Sequence, residues 1–177
     1  MNYCQIIKND VANGPGIRLS LFVSGCSNHC EGCFQPKTWD PDYGELFTAG
    51  VLEEVLDELA KPYYTGITIL GGDPFYKDNR SEVLCLIRSI RRKFAYARSI
   101  WLYTGYTFEH LTEEHDETVD DIISMSDVMV DGPFILSQKS MFLAFRGSEN
   151  QRIIDLNKTK YNSNKPVIIT KYERSSK

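Results

Sequence analysis

Residues 17–33 read IRLSLFVSGCSNHCEGC, a short apolar segment that runs directly into three closely spaced cysteines. The early alternation and the β-branched and aromatic residues at positions 17–24 predict a strand. The segment that follows, here called the cysteine loop (residues 26–33), carries Cys26, Cys30 and Cys33 at the spacing C-x3-C-x2-C. Three thiolates can hold three corners of an iron–sulfur cube, whose four irons normally take four thiolates. The sequence therefore predicts a cluster with one iron open to an outside ligand, as in catalytic metal sites.

Short apolar runs alternate with amphipathic stretches along the rest of the chain. Further strands are predicted at residues 66–70, 99–103, 127–130, 152–156 and 167–170. A helix is predicted at residues 48–60, and shorter helical pieces at 107–111 and 117–125. Asn79, with Glu82 three residues later, predicts a capped start for another helix.

The repeated order of strand and helix implies parallel strands joined by right-handed crossovers. A chain of 177 residues is too short for a full eight-stranded barrel, which takes about 250 residues. We expect an α/β fold, a partial (β/α) barrel of about five to six parallel strands. Residues 1–156 should form one domain, followed by a C-terminal tail at 157–177 that is either one extra strand or disordered.

The composition limits the class of protein. Hydrophobic residues make up 42 % and charged residues 25 %, as in ordinary soluble domains. The net charge of −4 argues against nucleic acid as a partner. The chain has neither an apolar run of roughly 20 residues nor an N-terminal signal, so we expect no membrane partner and a cytoplasmic location. Five cysteines, three of them crowded together, suit a metal in a reducing compartment, with Cys4 and Cys85 as small buried hydrophobes.

A structural zinc site is the alternative for the cysteine loop. His29 would then be the fourth ligand beside the three cysteines, in a closed tetrahedral site. His29 is adjacent to Cys30, which places it poorly for the same ion, and the second pair of cysteines typical of zinc knuckles is absent from the sequence.

Several motifs carry a resemblance to a known family. The cysteine loop, with Phe34 directly after the last cysteine, resembles the radical S-adenosylmethionine superfamily, and GGDP at 71–74 resembles its Gly-Gly-Glu-type motif. NGPGIR at 13–18 is similar to the opening of glycyl-radical activating enzymes. WLYTGY at 101–106, VDGPF at 130–134 and RGSENQR at 146–152 resemble the branch that acts on anaerobic (class III) ribonucleoside-triphosphate reductase. The resemblance covers about residues 1–156.

This resemblance implies a mechanism. Cys26, Cys30 and Cys33 would ligate a 4Fe-4S cluster, and its open iron would chelate the amino and carboxylate groups of S-adenosylmethionine. One electron would cleave the sulfonium to methionine and a 5′-deoxyadenosyl radical, which would take a hydrogen atom from a glycine Cα of the large reductase subunit. An external donor, such as a flavodoxin-like protein, would supply the electron. We also expect the polar stretch 146–152 to contact the reductase.

The remaining candidate residues lie at predicted strand ends, which meet at one rim in parallel α/β folds. Gly71 and Gly72 lack a Cβ, so their backbone can approach the methionine end of the cofactor. Asp73 follows them and is one methylene shorter than the glutamate usual in the superfamily. The resemblance places Gly32 and Phe34, which bracket Cys33, near the adenine. Polar residues at two further strand ends are expected to touch the ribose or methionine: Thr104 and Asp131.

A second enzymatic interpretation stays open. The same cluster chemistry occurs in other small radical S-adenosylmethionine enzymes, whose substrate is a different glycyl-radical protein or a deazapurine precursor. A glycyl radical on the reductase would separate the first interpretation from this one. A non-catalytic zinc-binding module is the third interpretation.

Overall fold

The computed structural model describes residues 1–172 of the chain. Its strands are β1 (Asn2–Asp10), β2 (Ile17–Val23), β3 (Glu45–Leu46), β4 (Tyr64–Gly71), β5 (Ser99–Tyr103), β6 (Val128–Asp131) and β7 (Arg152–Asp155). Its α-helices are α1 (Ala49–Leu59), α2 (Arg80–Phe94), α3 (Phe108–Glu113), α4 (Glu117–Met125) and α5 (Leu156–Lys160). The strands form one sheet in the order β3-β1-β2-β4-β5-β6-β7.

Four neighbouring strands, β2, β4, β5 and β6, run parallel, whereas β1, β3 and β7 pair antiparallel to their neighbours. The expected count of about five to six parallel strands was therefore too high. Parallel neighbours need a long crossover, usually an α-helix. Only a short turn separates β1 from β2, and no α-helix lies between β6 and β7. The curvature of a partial barrel stays a prediction.

The helices cover one face of the sheet. Alternate residues of β2 point to opposite faces, so Leu19, Leu21 and Val23 share a side. All three are fully buried in a core that also contains apolar residues from each of the five α-helices. Burying such side chains is the main source of stability in a domain of this size. The long apolar runs of the parallel strands thus fix the centre of the fold.

The other face of the sheet has a different covering. Trp101 of β5 packs edge-on against Phe145, with ring centroids 5.7 Å apart, and against Tyr172 at 6.1 Å. Both partners come from segments after β6 rather than from α-helices. This thinner cover leaves space above the carboxyl half of the sheet, where the candidate site lies.

Arg18 explains part of the opening NGPGIR motif. Its side chain is fully buried, and its Nε donates to Oγ1 of Thr68 at 2.7 Å. Its two terminal nitrogens donate to Oγ of Ser99 at 2.9 Å and to the carbonyl of Ile67 at 2.5 Å. Burial lowers the pKa of Arg18 to about 10. A Cβ at Gly14 would lie 2.7 Å from Cδ of Arg18, so the glycine leaves room for this arginine.

The structure corrects the predicted cap at Asn79. This residue precedes α2, but its side chain makes no capping hydrogen bond. Its Nδ2 instead donates to the carbonyls of Ser24 at 2.7 Å and Asp73 at 2.9 Å. The buried amide therefore connects the start of α2 to the segments that carry the candidate site. The predicted helix 48–60 is confirmed as α1, where Thr48 accepts a hydrogen bond from the backbone N–H of Val51.

Other expectations differ from the structure at the edges of the fold. Strand β1 was not predicted, and the predicted strand at 167–170 forms a single bridge between Ile154 and Ile168. The tail contributes α5 and a short 3-10 turn, while the part of its prediction that concerns residues 173–177 lies outside the described residues. Cys85 is exposed on α2, so its expected burial was wrong, and Cys4 is half-buried. Within residues 1–172, each helix falls short of the length and apolarity that a membrane crossing requires.

Candidate active site

The cysteine loop starts directly beyond β2, at the carboxyl ends of the parallel strands. Backbone hydrogen bonds fix its beginning: the N–H of Gly25 donates to Thr38 at 2.8 Å, and that of Cys26 donates to Trp39 at 3.2 Å. The three cysteines, Cys26, Cys30 and Cys33, are half-buried free thiols. Burial, and then the nearby Asp73 carboxylate, raise the pKa of the Cys26 thiol in the metal-free chain.

A cavity of about 550 Å³ opens beside this loop, within the usual range for ligand pockets. Its lining includes most of the predicted site residues: Cys26, Cys30, Cys33, Phe34, Gly71, Gly72 and Thr104. Gly32, Asp73 and Asp131 lie outside the lining. The fold therefore brings the cysteine loop together with the ends of β4 and β5, as the strand-end argument predicts.

The glycine turn after β4 (residues 71–73) is joined by backbone hydrogen bonds to the residues just before the cysteine loop. The N–H of Gly72 donates to Val23 at 2.7 Å, and the N–H of Asp73 donates to Gly25 at 2.8 Å. A Cβ at Gly72 would lie 2.5 Å from the carbonyl oxygen of Gly25, a distance that no side chain tolerates. Gly71 has φ +108°, which only glycine adopts without strain. Because the N–H of Gly72 is used internally, its carbonyl is the group it can offer to a ligand.

Asp73 lies behind the cavity wall and stabilises the site through hydrogen bonds. Its side chain is fully buried, and Oδ2 accepts hydrogen bonds from Oγ1 of Thr104 at 3.0 Å, the N–H of Gly105 at 2.9 Å and Nδ2 of Asn28 at 3.3 Å. Oδ1 accepts from the N–H of Phe75 at 2.9 Å. Burial raises the pKa of Asp73 to about 6. Direct cofactor contact by Asp73 stays a prediction, whereas these contacts give it a positioning role.

Asp131 holds a second junction near the site. It is fully buried and accepts hydrogen bonds from the N–H of Phe108 at 2.8 Å and from Nε of Arg152 at 3.0 Å. The same guanidinium forms an ion pair with Glu109, with the closest approach at 2.6 Å. This arrangement joins the start of α3 to β6 and β7. Asp131 thus occupies a strand end as predicted, its observed contacts are structural, and its contact with a cofactor stays a prediction.

Phe34 lies at the mouth of the cavity. Its side chain is 71 % exposed, and its ring centroid is 6.1 Å from that of Phe134. The ammonium of Lys139 lies 4.9 Å from the Phe34 ring centroid. Gly32 is next to the mouth but outside the lining, and a Cβ there would lie 2.8 Å from the side chain of Leu136.

The segment from 132 to 151 forms another wall of the cavity. Gln151 donates to the carbonyl of Gly132 at 3.1 Å, and Asn150 donates to that of Pro133 at 2.8 Å. Arg146 lines the cavity and donates to the carbonyl of Gln151 at 2.8 Å. These contacts stabilise the wall itself, and the expected contact of residues 146–152 with the reductase stays a prediction.

Sequence reasoning assigned no site role to two of the residues that line the cavity, Asn28 and Tyr103. Tyr103 shares the cavity face of β5 with Trp101, so strand alternation could have identified it. Its hydroxyl donates to the carbonyl of Phe145 at 2.8 Å, and burial raises its pKa. Asn28 lies between two cysteines, which is a local signal. Arg146 belongs to the predicted polar stretch 146–152, but its place in the cavity wall follows only from the fold.

The zinc alternative gains no support from the geometry. The ring of His29 packs against Trp39, with centroids 4.8 Å apart. In the described part of the chain, no three His, Cys, Asp or Glu side chains meet at a single-ion position. A cube-shaped cluster needs no such point, since each cysteine binds a different iron.

A comparison with protein families defines the class. Residues 12–154 match the model of the family described as "4Fe-4S single cluster domain". That span contains the cysteine loop, the four parallel strands and the cavity wall up to residue 151. The chain is therefore an iron–sulfur cluster protein built on one such domain.

Its relatives narrow the class further. Each of the following is named "Anaerobic ribonucleoside-triphosphate reductase-activating protein". The protein of Enterobacteria phage T4 is 39 % identical over 86 % of this chain and 93 % of its own length. That of Escherichia coli is 37 % identical over 85 % of this chain and 96 % of its own length. That of Vibrio cholerae is 38 % identical over 86 % and 97 %, respectively. The chain belongs to the family of anaerobic ribonucleoside-triphosphate reductase-activating proteins, which confirms the resemblance seen in its motifs.

Proposed function

We propose that this protein activates an anaerobic ribonucleoside-triphosphate reductase by generating a glycyl radical on its large subunit. The observation that carries the proposal is the convergence of all three loop cysteines with the glycine turn on one cavity. The names of the relatives supply the identity of the target. The chemistry would use a 4Fe-4S cluster and S-adenosylmethionine.

The donor set fits the cluster. Cys26, Cys30 and Cys33 would each bind one iron, which would leave the fourth iron without a protein thiolate. The start of the loop is already held by backbone hydrogen bonds, from Gly25 to Thr38 and from Cys26 to Trp39, which supports a preformed site for the cluster. Three protein ligands with one open position are the arrangement expected of a metal site that binds a reactant.

The glycine turn and the strand ends fit S-adenosylmethionine. The carbonyl of Gly72 can accept hydrogen bonds from an ammonium group, and the absent side chains let a ligand lie close to the backbone. Thr104 and Tyr103 line the same cavity at the end of β5. We expect Phe34 to cover the adenine at the mouth. Asp73 would act indirectly, because it holds Thr104 and the cysteine loop in register.

When bound and reduced by one electron, the cluster and S-adenosylmethionine together supply a 5′-deoxyadenosyl radical, with methionine as the other product, and this radical can take a hydrogen atom from a glycine Cα. The chain's own contribution is to enclose that chemistry. The sheet face and the wall at 132–151 would orient the bound groups and limit their contact with water. Both functions reduce quenching of the radical by solvent.

The mouth of the cavity suits a polypeptide substrate. Phe34 and Met141 are exposed there, at 71 % and 84 %. Apolar side chains on a rim are typical of protein-binding surfaces. A glycine-bearing loop of the reductase would enter past them. The electron would come from an external donor such as a flavodoxin-like protein.

A reconstitution experiment tests the proposal. The chain is loaded with iron and sulfide without oxygen, then reduced and mixed with S-adenosylmethionine. We expect 5′-deoxyadenosine and methionine, and, with the large reductase subunit present, the electron spin resonance doublet of a glycyl radical. Products without that doublet would favour another radical S-adenosylmethionine enzyme.

Cysteine variants provide the matched control. Cys30→Ala should lose the cluster and both products. Cys85→Ala should keep them, because Cys85 is exposed on α2 and outside the cavity lining. Full activity of Cys30→Ala would rule out the proposed site.

A further inference from the structure

Asn28, inside the cysteine loop, contacts two groups that carry negative charge in the working protein. Its Nδ2 donates to Sγ of Cys26 at 3.8 Å and to Oδ2 of Asp73 at 3.3 Å. A side-chain amide nitrogen has two hydrogens, so it can serve both acceptors at once. The amide therefore stands between a cluster-binding sulfur and a buried carboxylate.

The carboxylate fixes which way this amide points. An ionised carboxylate accepts hydrogen bonds but cannot donate them. Oδ2 of Asp73 therefore selects the nitrogen end of the Asn28 amide rather than its oxygen end. Asp73 is itself held by Oγ1 of Thr104 at 3.0 Å and by the N–H of Gly105 at 2.9 Å. The end of β5 thus positions the carboxylate, and the carboxylate positions the amide toward Cys26.

Gly105 also leaves the space that the amide occupies. A Cβ at Gly105 would lie 2.4 Å from Nδ2 and 2.6 Å from Cγ of Asn28. Any larger residue there would displace the Asn28 side chain. The Asn28 amide can therefore reach its position only because residue 105 has no side chain.

We propose that Asn28 is a positioning residue that raises the reduction potential of the cluster through its hydrogen bond to the Cys26 sulfur. The inference rests on the ligation by Cys26 that the proposed function includes. Hydrogen bonds to cluster sulfurs are among the factors that set the potential of an iron–sulfur centre. A donor at the sulfur stabilises the more negative, reduced state, so the cluster accepts an electron more readily.

The test is a redox titration of the reconstituted protein. Asn28→Ala should lower the midpoint potential at unchanged iron content. Ser27→Ala is the matched control, because the Ser27 hydroxyl meets the hydroxyl of Tyr106 at 2.7 Å rather than a sulfur. Its potential should equal that of the unmodified protein. Asn28→Leu keeps a branched side chain without donors and should behave like Asn28→Ala, which covers the case in which truncation loosens the loop.

A double-variant cycle sharpens the test. Gly105→Ala should also lower the potential, because the added methyl displaces the amide. In the double variant Asn28→Ala with Gly105→Ala the shift should be no larger than with Asn28→Ala alone, since the methyl then has room. Fully additive shifts, or equal potentials in Asn28→Ala and the unmodified protein, would overturn the inference.

The inference and the proposed function fail separately. Retention of the full cluster in Cys26→Ala would refute the proposed ligation, and with it the premise of the inference. Loss of the cluster in Cys26→Ala, together with an unchanged potential in Asn28→Ala, would refute the inference alone.

Discussion

The guanidinium of Arg18 lies 5.4 Å from the centre of the Trp101 ring, on the face of the sheet that carries the cavity. Its hydrogen-bond acceptors are neutral oxygens of Thr68, Ser99 and Ile67 rather than carboxylates. The ring face offers partial negative charge to the buried cation. The buried cation is therefore stabilised by several acceptors placed around its planar guanidinium. The shape of the arginine side chain contributes to this as much as its charge does.

Arg18→Lys is expected to destabilise the protein by about 2–3 kcal/mol, because one ammonium cannot reach acceptors arranged around a planar fork. Urea unfolding of the metal-free chain measures this loss. Arg88→Lys is the control: Arg88 is exposed and pairs with Asp121 at 2.6 Å, so its loss should stay below about 1 kcal/mol. Equal losses in the two variants would contradict the role assigned to Arg18.

Gly72→Ala should prevent normal cluster assembly. The new methyl would lie 2.5 Å from the carbonyl of Gly25 and 2.9 Å from that of Thr38, so the start of the cysteine loop must move. We expect a lower iron content after reconstitution and a loss of stability of about 1–3 kcal/mol. Gly50→Ala, where the nearest atom lies 3.7 Å away, should instead be neutral or slightly stabilising. A full iron content in Gly72→Ala would show that the loop tolerates the shift.

Arg152→Met should cost about 3 kcal/mol, because it leaves the buried Asp131 carboxylate without its cation. Glu109→Gln removes the other partner of the same guanidinium and should cost less than about 1 kcal/mol, since Glu109 is 48 % exposed. Unfolding free energies of both variants check the ranking. A larger loss of stability in Glu109→Gln than in Arg152→Met would contradict this ranking, in which the ion pair of Arg152 with Asp131 contributes more than its pair with Glu109.

The lowered pKa of Glu58 should make the stability of the protein depend on pH. Hydrogen bonds from Lys61 at 2.8 Å and from the Tyr64 hydroxyl at 2.9 Å lower the pKa of Glu58 to about 2, from a usual 4.5. A lowered carboxyl pKa stabilises the fold above the unfolded-state pKa, and that stabilisation disappears as the pH falls through the folded-state value. The metal-free chain should therefore exceed Glu58→Gln in stability at pH above 4.5, with the difference vanishing near pH 2.

A control variant completes this measurement. Glu53 lies exposed on the same helix, and Glu53→Gln should follow the unmodified protein across the pH range. A difference between Glu58→Gln and the unmodified protein that persisted near pH 2 would show that the contact acts through packing rather than charge.

The sequence predicted the parts of the fold that depend on local patterns. The bounds of β5 and α4 match their predictions, because each is an apolar or amphipathic run between clear breaks. Strand β1 escaped notice because it lies toward the sheet edge and is mostly half-buried, which gives it no apolar stripe. Cys85 was predicted to be buried because it falls in an apolar helical stretch, but on α2 it faces solvent.

The candidate site was predicted in its outline rather than in its internal contacts. The cysteine spacing and the glycine turn are each contained in a short stretch of sequence, so both could be identified as candidate site motifs without the structure. The burial of Asp73 and its contact with Asn28 depend on residues 45 positions apart, which no local pattern connects. The hydrogen bonds of Gln151 and Asn150 to the carbonyls of Gly132 and Pro133 likewise form only in the folded wall.

The two sides of the cavity come from different parts of the chain. The cysteine loop lies near the beginning, whereas the wall at 132–151 lies toward the end and is stabilised by its own side chains. Because contacts within the wall hold it together, substitutions on its outer surface need not displace the cysteine loop. The outer surface of the wall can therefore vary in sequence while the cavity beside it keeps its form.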